Sequence, residues 1–248
     1  MGLSNIESEP RHFSYSSMRV YENCPHKYRL SYIRGYWINK ESTALRFGSA
    51  IHKALEAMYK GQDAKLALKK SIYEKPENVL WKKSNPDREY NLAVKMLEMY
   101  DKKKLHLIPR DVEKMFNIEV INPETNEKLP WTLKGKMDIV TKDGWICDHK
   151  TSSGSLTQTW ADNEFQATAY SFAYKNLYKE TEKGIIYNVL IKRVKEPRLE
   201  AIVTRRDLSD KIYFFEVAKD FIGKVRMGIF PKNKGRHCKY CQYSHICL

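Results

Sequence analysis

The sequence predicts an α/β fold in which a central mixed sheet is flanked by helices. Helical periodicity dominates residues 14–105, strand-like alternation replaces it over residues 113–205, and a helical pattern returns after residue 206. No internal repeat or low-complexity tract interrupts these stretches. We therefore expect one integrated domain over residues 1–248, with a helical first part, an α/β core, and a last helix followed by a cysteine-rich segment at residues 206–248.

The first 105 residues carry the signals of several helices. Ser14, Ser16 and Ser17 offer N-caps before MRVYENC, and HKYRLSYI predicts a second short helix. Apolar side chains recur at helical spacing through FGSAIHKALEAMYKG, whose last glycine indicates a stop. Two further helices are expected over AKLALKKSIYEK and DREYNLAVKMLEMYDKKKL, and Pro109 then breaks the pattern.

Alternating apolar and polar residues predict the strands of the core. They cover MFNIEVI, WTLKGKMDIVT and GWICDHK, and the turn at residues 142–144 joins the last two as a hairpin. A helix over ADNEFQATAYSFAYKNLY follows, and then two strands at GIIYNVLI and LEAIVT. The last long helix is expected from Leu208 to Met227.

The charge balance favours a polyanionic partner. The chain has 44 Lys and Arg against 30 Asp and Glu, which gives a net charge of +14 and a pI near 9.4. No long apolar span or basic amphipathic terminus points to a membrane. The opening segment MGLSNIESEPRHFS has no apolar signal segment, so we expect a cytoplasmic protein of bacterial, archaeal or viral origin.

Two aspartates and a lysine lie in the predicted hairpin. Side chains alternate along a strand, so Asp148 and Lys150 share one face while Cys147 and His149 point to the other. If the hairpin pairs Asp138 with Asp148, two carboxylates meet, and a Mg²⁺ or Mn²⁺ ion would relieve their repulsion. The alternative is that these residues are solvated and form a surface salt bridge.

Two other features favour a functional site, although each alone has a structural interpretation. His52 lies on a helix that also carries Phe47, Ile51 and Leu55, where a lone histidine is usually a core or boundary residue. Gln166 and Tyr170 are four residues apart, so they share one helix face directly after the hairpin.

The cysteines have a spacing typical of a metal or cluster site. Cys238, Cys241 and Cys247 lie within ten residues, and Cys24 lies far away in sequence. If Cys24 completes a four-thiolate site, the first and last helices must meet, and folding is coupled to ligand binding. The alternative is zinc held by the three C-terminal thiols with His245 or His237. Cys147 is interpreted as a buried apolar residue.

In this order along the chain, the motifs resemble the RecB-like branch of the PD-(D/E)XK nuclease superfamily. The resemblance is to its iron-sulfur exonucleases, which include AddB nuclease domains and CRISPR-associated RecB-like nucleases. It rests on SYSSMRVYENCPHKYRLSYI, FGSAIHKALE, GKMDIV, ICDHKTSS, FQATAY and the last three cysteines. The chain departs from the pattern where Met137 replaces the namesake proline and where the acid before Lys150 is Asp148. His149 occupies a position where an aromatic residue is commoner.

The resemblance implies a role for each matching residue. His52, Asp138 and Asp148 would bind a catalytic Mg²⁺ or Mn²⁺ through their side chains, and His149 would bind it through its backbone carbonyl. Lys150 would assist the attacking water. Gln166 and Tyr170 would lie along the DNA path beside the metal. Glu119 would contact a second metal or the water shell. A structural 4Fe-4S cluster would be held by Cys24, Cys238, Cys241 and Cys247.

The resemblance implies a metal-dependent DNA exonuclease that acts in recombination, repair or processing, with recombination or CRISPR-adaptation proteins as partners. A structure-specific or restriction-like endonuclease shares the same catalytic core. A noncatalytic DNA-binding module with a vestigial site is the alternative from another class. Basic groups could track DNA phosphates, although each alone is a typical solvated face; they are Lys69-Lys70, Lys82-Lys83, residues 102–104, Lys192-Arg193, Arg205-Arg206 and Lys232 with Lys234 and Arg236.

Overall fold

The structure is a computed structural model that describes residues 10–36, 40–103 and 107–247. The chain divides into two compact units, the first formed by Met1–Ile38, Phe116–Gly135 and Arg206–Leu248 and the second by Asn39–Met115 and Lys136–Arg205. The prediction of a single integrated domain stays a prediction. Residues 1–9, which hold most of the segment behind the cytoplasmic prediction, and Lys104 of the basic groups lie outside the described residues.

The first unit begins with strand β1 (His12–Phe13) and helices α1 (Tyr15–Asn23) and α2 (Pro25–Tyr28), which a π-helical turn at Arg29–Ile33 follows. Ser14 and Ser17 form a reciprocal capping box that starts α1. Cys24 has an extended backbone, and Pro25 occupies the first turn of α2, so the chain bends between the two helices. Cys24, which is one of the predicted cluster ligands, thus lies at the bend between α1 and α2.

Helix α8 (Leu208–Arg226) supplies the core of the first unit. Asp207 and Asp210 form its capping box. The ring of Phe221 lies between 5.2 and 6.2 Å from four other aromatic rings, measured between centroids; they belong to Phe13, Tyr21, Tyr28 and Trp131. A short 3₁₀ helix at Arg236–Tyr240 follows and carries Cys238.

The second unit contains helices α3 (Thr43–Tyr59), α4 (Ala64–Tyr73) and α5 (Pro86–Lys103), with two-residue strands β2 (Glu41–Ser42) and β3 (Val79–Leu80) that pair in parallel. Ser42 and Asp63 cap α3 and α4 with their side chains. The apolar faces of the three helices pack together with Leu190 of the sheet. This packing fixes the positions of the side chains that α3 and α5 present to the sheet.

The sheet of the second unit is mixed. Its strands are β4 (Pro109–Ile118), β5 (Thr132–Thr141), β6 (Trp145–Ser152), β7 (Gly184–Ile191) and β8 (Arg198–Thr204), of which β4 and β5 begin or end in the first unit. Strand β5 pairs antiparallel with β6, β6 parallel with β7, and β7 antiparallel with β8. All eight residues of β7 are buried, as expected for a strand with helices on both faces.

Helices α6 (Gln158–Asp162) and α7 (Phe165–Tyr178) connect β6 to β7. Trp160 of α6 packs on Tyr187 of β7, which faces away from the side that Leu190 shares with α3 and α5. The predicted α/β class, with a mixed sheet flanked by helices, is confirmed.

Two boundary predictions were wrong. The sequence predicted one helix over residues 161–178, but the chain breaks at residues 163–164 and begins α7 at Phe165. Strand β4 begins at Pro109 rather than Met115. Only its end, from Met115 to Ile118, alternates between exposed and buried side chains, so the period-two signal covered less than half of the strand.

Candidate active site

The β5–β6 hairpin brings the two predicted aspartates together. Its register pairs Ile139 with Cys147 and Val140 with Ile146, and one further step places Asp138 opposite Asp148. Gly144 ends the turn with φ +93°, a conformation that glycine adopts without strain. Both aspartates are buried, with 8% and 1% of their surfaces exposed. Two buried carboxylates side by side require compensating positive charge.

Asp138 receives three polar groups on one oxygen. The backbone N–H of His149 donates to Oδ2 at 2.8 Å, and Nδ1 of His52 and Nδ1 of His149 lie 3.2 and 3.4 Å from the same atom. Burial raises the pKa of Asp138, but the hydrogen bonds and charge of the two histidines outweigh burial and hold the pKa well below its usual range. Asp138 is therefore an ionised carboxylate with a fixed orientation.

Helix α3 positions His52 beside that carboxylate. Gly48 lies one turn earlier, where a Cβ atom would come within 3.2 Å of Thr151 Oγ1 on β6. The glycine therefore permits α3 to approach the strand closely. Burial lowers the pKa of His52, whereas the hydrogen bond and charge of Asp138 raise it more, so the net pKa lies above the usual value.

Glu113 of β4 is a site residue that the sequence analysis missed. Ligand atoms of His52, Glu113 and Asp138 all lie within 4.8 Å of one another, and Lys136 forms an ion pair with Glu113. Glu119, the acid chosen from the sequence, instead forms an exposed ion pair with Lys128 in the first unit. Glu113 lies in the part of β4 whose side chains do not alternate between buried and exposed. The period of the strand therefore does not predict which face of the sheet Glu113 is on.

Asp148 and Lys150 belong to a second hydrogen-bonded group. Lys150 Nζ lies 2.7 Å from Asp148 Oδ2 and donates to Gln166 Oε1 at 2.5 Å. Gln166 donates to the Tyr170 hydroxyl, which donates to Asp148 Oδ1, both at 2.7 Å. Burial raises the pKa of Asp148, and the neighbouring Lys150 offsets part of the rise. The shared face predicted for Asp148 and Lys150 is the one observed.

The roles predicted for Tyr170, Gln166 and His149 stay predictions, and the structure describes their surroundings. Tyr170 was predicted to lie along the DNA path, but only 3% of it is exposed and its hydroxyl orients Asp148. Gln166 uses its amide oxygen and nitrogen within the same hydrogen-bonded group. His149 is 2% exposed and its backbone N–H donates to Asp138, while the role predicted for its backbone carbonyl stays a prediction.

The residues present fit a hard divalent metal. Carboxylate oxygens suit Mg²⁺ or Mn²⁺. Asp148 Oδ2 is buried and has the Lys150 ammonium 2.7 Å away, and no other donor reaches it within the part of the chain that the structure describes, so one lone pair of this carboxylate oxygen stays unused. Such an atom favours a cation as its partner. The arrangement can bind a metal and hold an ammonium group beside it.

The four predicted cluster cysteines line one cavity in the first unit. Cys24, Cys238, Cys241 and Cys247 surround a volume of about 390 Å³, together with basic side chains that include Lys27 and Lys232. All are free thiols. In the described ranges, no three cysteine or histidine side chains of this segment bring their ligand atoms within 4.8 Å of one another.

Cys147 lies in the second unit and does not join these cysteines. It is fully buried, packs with Ile139 and Ile186, and accepts a hydrogen bond from Asn188 at 3.0 Å. Burial first, and the charges of Asp148 and Asp138 next, raise the pKa of this thiol. Its interpretation as a core residue agrees with this environment.

Several predicted DNA-contacting basic residues have partners within their own unit. Lys192 pairs with Glu89 at 2.5 Å and lies over the ring of Phe47, and Arg205 lies over Trp145. These contacts give both residues a structural role. Across residues 10–36, 40–103 and 107–247, no helix has the length and apolar character needed to cross a membrane.

Comparisons with known proteins give the family and the fold. A family model described as PD-(D/E)XK nuclease superfamily matches residues 12–248. A crystal structure of a protein named "Putative exonuclease" from Eubacterium rectale superposes with a TM-score of 0.68 at 16% identity, covering 100% of this chain and 93% of that one. The crystal structure of SSO0001 gives a TM-score of 0.38 at 14% identity, covering 94% and 96%. No curated protein sequence matches. At these identities the first structure shows a shared fold.

Proposed function

Because the chain belongs to the PD-(D/E)XK nuclease superfamily, we propose that it is a Mg²⁺- or Mn²⁺-dependent deoxyribonuclease that degrades DNA from its ends. The observation that carries the proposal is the group of His52, Glu113 and Asp138, whose ligand atoms lie within 4.8 Å of one another. The +14 net charge supports DNA as the substrate. Action from DNA ends, in recombination, repair or processing, is proposed from the RecB-like sequence motifs.

The reaction is hydrolysis of a phosphodiester by in-line attack of water on phosphorus. A divalent metal held by His52, Glu113 and Asp138, with Asp148 beside them, would acidify the water and offset negative charge on the phosphate. The chain itself supplies fixed ligands, because hydrogen bonds orient Asp138 and Asp148 before any substrate binds. Preorganised groups need no rearrangement during the reaction.

Lys150 is the residue placed to act on the attacking water. Asp148, Gln166 and the ring of Tyr187, 5.6 Å from Nζ, hold its ammonium group. An ammonium fixed in this way orients a water through hydrogen bonds and stabilises charge on the pentavalent phosphorus species. This role needs the positive charge and the N–H donors of the ammonium group at that position. A neutral side chain of similar length should therefore not replace Lys150.

End-labelled linear and circular DNA, incubated with the purified protein in Mg²⁺, Mn²⁺ or EDTA, tests the proposal. We expect metal-dependent loss of linear DNA while circles persist. Asp148→Asn and Lys150→Met should each lower the rate by roughly 10²- to 10⁴-fold, the usual contribution of a positioned acid–base group.

Matched controls lie in the turn of the same hairpin. Asp143→Asn and Lys142→Met change residues of the turn, and the Asp143 carboxylate contacts Thr141 and Lys183. Both variants should cleave within about twofold of wild type, as surface substitutions usually do. Equal rates for all four variants would refute the site, whereas cleavage of circular DNA would assign an endonuclease instead.

We further propose that Cys24, Cys238, Cys241 and Cys247 hold a structural 4Fe-4S cluster. The cavity that they line, about 390 Å³, is far larger than a single ion needs. Thiolates around tetrahedral zinc lie about 3.8 Å apart, given Zn–S bonds near 2.3 Å. In the described part of this segment, no three thiols have their sulfurs within 4.8 Å of one another. Lysines around the cavity suit a cluster of net negative charge.

Anaerobic purification followed by iron, sulfide and zinc analysis tests the cluster. We expect about four iron and four sulfide per chain and a brown protein, lost in Cys241→Ser. Cys147→Ser is the matched control, because Cys147 lies in the core of the other unit and should leave the iron content unchanged. A colourless protein with one zinc per chain would replace the cluster by zinc held with His237 or His245.

A further inference from the structure

A line of hydrogen-bonded polar side chains leads from helix α3 to Asp138. The hydroxyls of Tyr59 and Tyr100 lie 2.7 Å apart, and the Tyr100 hydroxyl lies 2.8 Å from Nε2 of His149. On its other side, the His149 ring places Nδ1 3.4 Å from Asp138 Oδ2. Tyr100 is fully buried and His149 is 2% exposed. Tyr100 and His149 are therefore enclosed in the protein, whereas Tyr59 is half-buried.

The chemistry of Asp138 fixes the direction of every hydrogen bond in the line. An ionised carboxylate only accepts, so Nδ1 of His149 carries a proton and faces Asp138 as a donor. With Nδ1 as the donor to Asp138, Nε2 is the ring nitrogen that accepts, and the Tyr100 hydroxyl donates to it. Because the single hydrogen of the Tyr100 hydroxyl is donated to His149, the Tyr100 oxygen accepts a hydrogen bond from the Tyr59 hydroxyl.

The result for Asp138 is an asymmetric carboxylate. Within the described residues, all of its polar partners approach Oδ2; they are the backbone N–H and Nδ1 of His149 and Nδ1 of His52. Oδ1 is left as the oxygen that can be offered to a cation. A hydrogen bond that engages one carboxylate oxygen orients the other, as partners of metal ligands commonly do.

We propose that Tyr59, Tyr100 and His149 are positioning residues that fix the tautomer of His149 and aim Oδ1 of Asp138 at the catalytic metal. The inference rests on the proposed function, since it assigns Asp138 as a metal ligand. Without the Tyr100 hydroxyl, Nε2 would lose its donor and the imidazole would be free to change tautomer. Asp138 would then lose a fixed donor on Oδ2.

Two readouts that need no DNA cleavage test this role. In metal-free protein, ¹⁵N chemical shifts of the imidazole should show His149 protonated on Nδ1 alone. Mn²⁺ titration followed by electron paramagnetic resonance should show a 10- to 100-fold loss of affinity in Tyr100→Phe, the range expected when a partner of a metal ligand is removed. Tyr59→Phe keeps the Tyr100 donor and should lose less than fivefold.

Tyr178→Phe is the matched control, because it removes a tyrosine hydroxyl that donates to Asp111 at 2.7 Å, outside this line. It should bind Mn²⁺ as wild type does, and its melting temperature shows what loss of such a hydroxyl costs in stability. A wild-type His149 with any other protonation pattern, or a Tyr100→Phe variant that binds Mn²⁺ within twofold of wild type, would overturn the role. If wild type binds Mn²⁺ but does not cleave DNA, the proposed nuclease activity is wrong. The ¹⁵N and Mn²⁺ measurements still test the positioning role in that case.

Discussion

The carboxylates of the candidate active site and the thiols of the C-terminal cavity are held in different ways. Asp138 and Asp148 lie on paired strands, and hydrogen bonds from His149 and Tyr170 fix their oxygens. Cys238 lies in a five-residue 3₁₀ helix, where the Gly235 N–H approaches its sulfur at 3.5 Å. The sheet therefore builds the first ligand set without a ligand, whereas the second depends on short turns.

This difference predicts where folding depends on a bound group. Ligands that are preorganised by a sheet fold without the metal, and a weakly bound metal adds little stability because its concentration exceeds its Kd only slightly. Thiols on turns are brought together by the group that they bind, so binding free energy becomes folding free energy. The following variants separate these two cases, beginning with the largest expected effect.

Loss of the cluster should destabilise the protein far more than loss of the metal. Cys241→Ser should cost about 4 kcal/mol, the value for a ligand present at roughly 1,000 times its Kd, which corresponds to a melting temperature about 8–16 °C lower. Removal of Mg²⁺ with EDTA should lower it by only about 2–4 °C. Calorimetry of both proteins, with Cys147→Ser alongside, measures the difference. Melting of Cys241→Ser at the wild-type temperature would show that the turns need no ligand.

Substitutions of Glu113 test whether the backbone of the candidate active site is strained. Its backbone is left-handed, with φ +57°, a conformation that costs a residue with a Cβ about 1 kcal/mol. Glu113→Gly and Glu113→Ala both remove the carboxylate and its ion pair with Lys136, but only glycine removes the strain. Urea unfolding should show Glu113→Gly about 1 kcal/mol more stable than Glu113→Ala.

The same two variants should bind Mn²⁺ about equally weakly, since neither keeps the ligand. Equal stability of the glycine and alanine variants would mean that the left-handed conformation is without cost, and unchanged Mn²⁺ affinity would remove Glu113 from the metal site. The two variants therefore separate the effect of the strained backbone on stability from the effect of the carboxylate on metal binding.

The sequence predicted those site residues whose positions follow from local period. Asp148 and Lys150 share a face because they are two residues apart on a strand, and one hairpin register was enough to add Asp138. Glu113 was missed because residues 109–114 are all half-buried, apart from exposed Arg110, so the apolar pattern gives that part of β4 no phase. Its left-handed backbone also departs from strand geometry.

Long-range contacts explain what else was missed. Tyr59 and Tyr100 lie on helices where an aromatic residue in an apolar stripe usually belongs to the core. Their meeting with His149 depends on how α3 and α5 pack on the sheet, which no spacing within one helix reveals. Tyr170 was predicted as a residue beside the metal, and its burial depends on how α7 lies on β6.

The smallest effect expected is a pH-dependent contribution of the His52–Asp138 pair in metal-free protein. Burial lowers the pKa of His52 but Asp138 raises it more, and the two histidines hold the pKa of Asp138 low in spite of its burial. A raised histidine pKa gives stability that is complete below the unfolded value of about 6.5 and is lost as pH rises through the folded value. A lowered aspartate pKa gives stability above about 3.9 that is lost as pH falls.

Both contributions are therefore present together between about pH 4 and 6.5. Urea unfolding in EDTA should show the advantage of wild type over His52→Gln falling by about 1 kcal/mol from pH 5.5 to pH 9, the value of one hydrogen-bonded pair. His12→Gln provides a control of opposite sign, because burial and then Lys134 lower the pKa of His12, so its contribution is lost as pH falls. An advantage of wild type over His52→Gln that does not change with pH would mean that the pair stabilises the fold by packing alone.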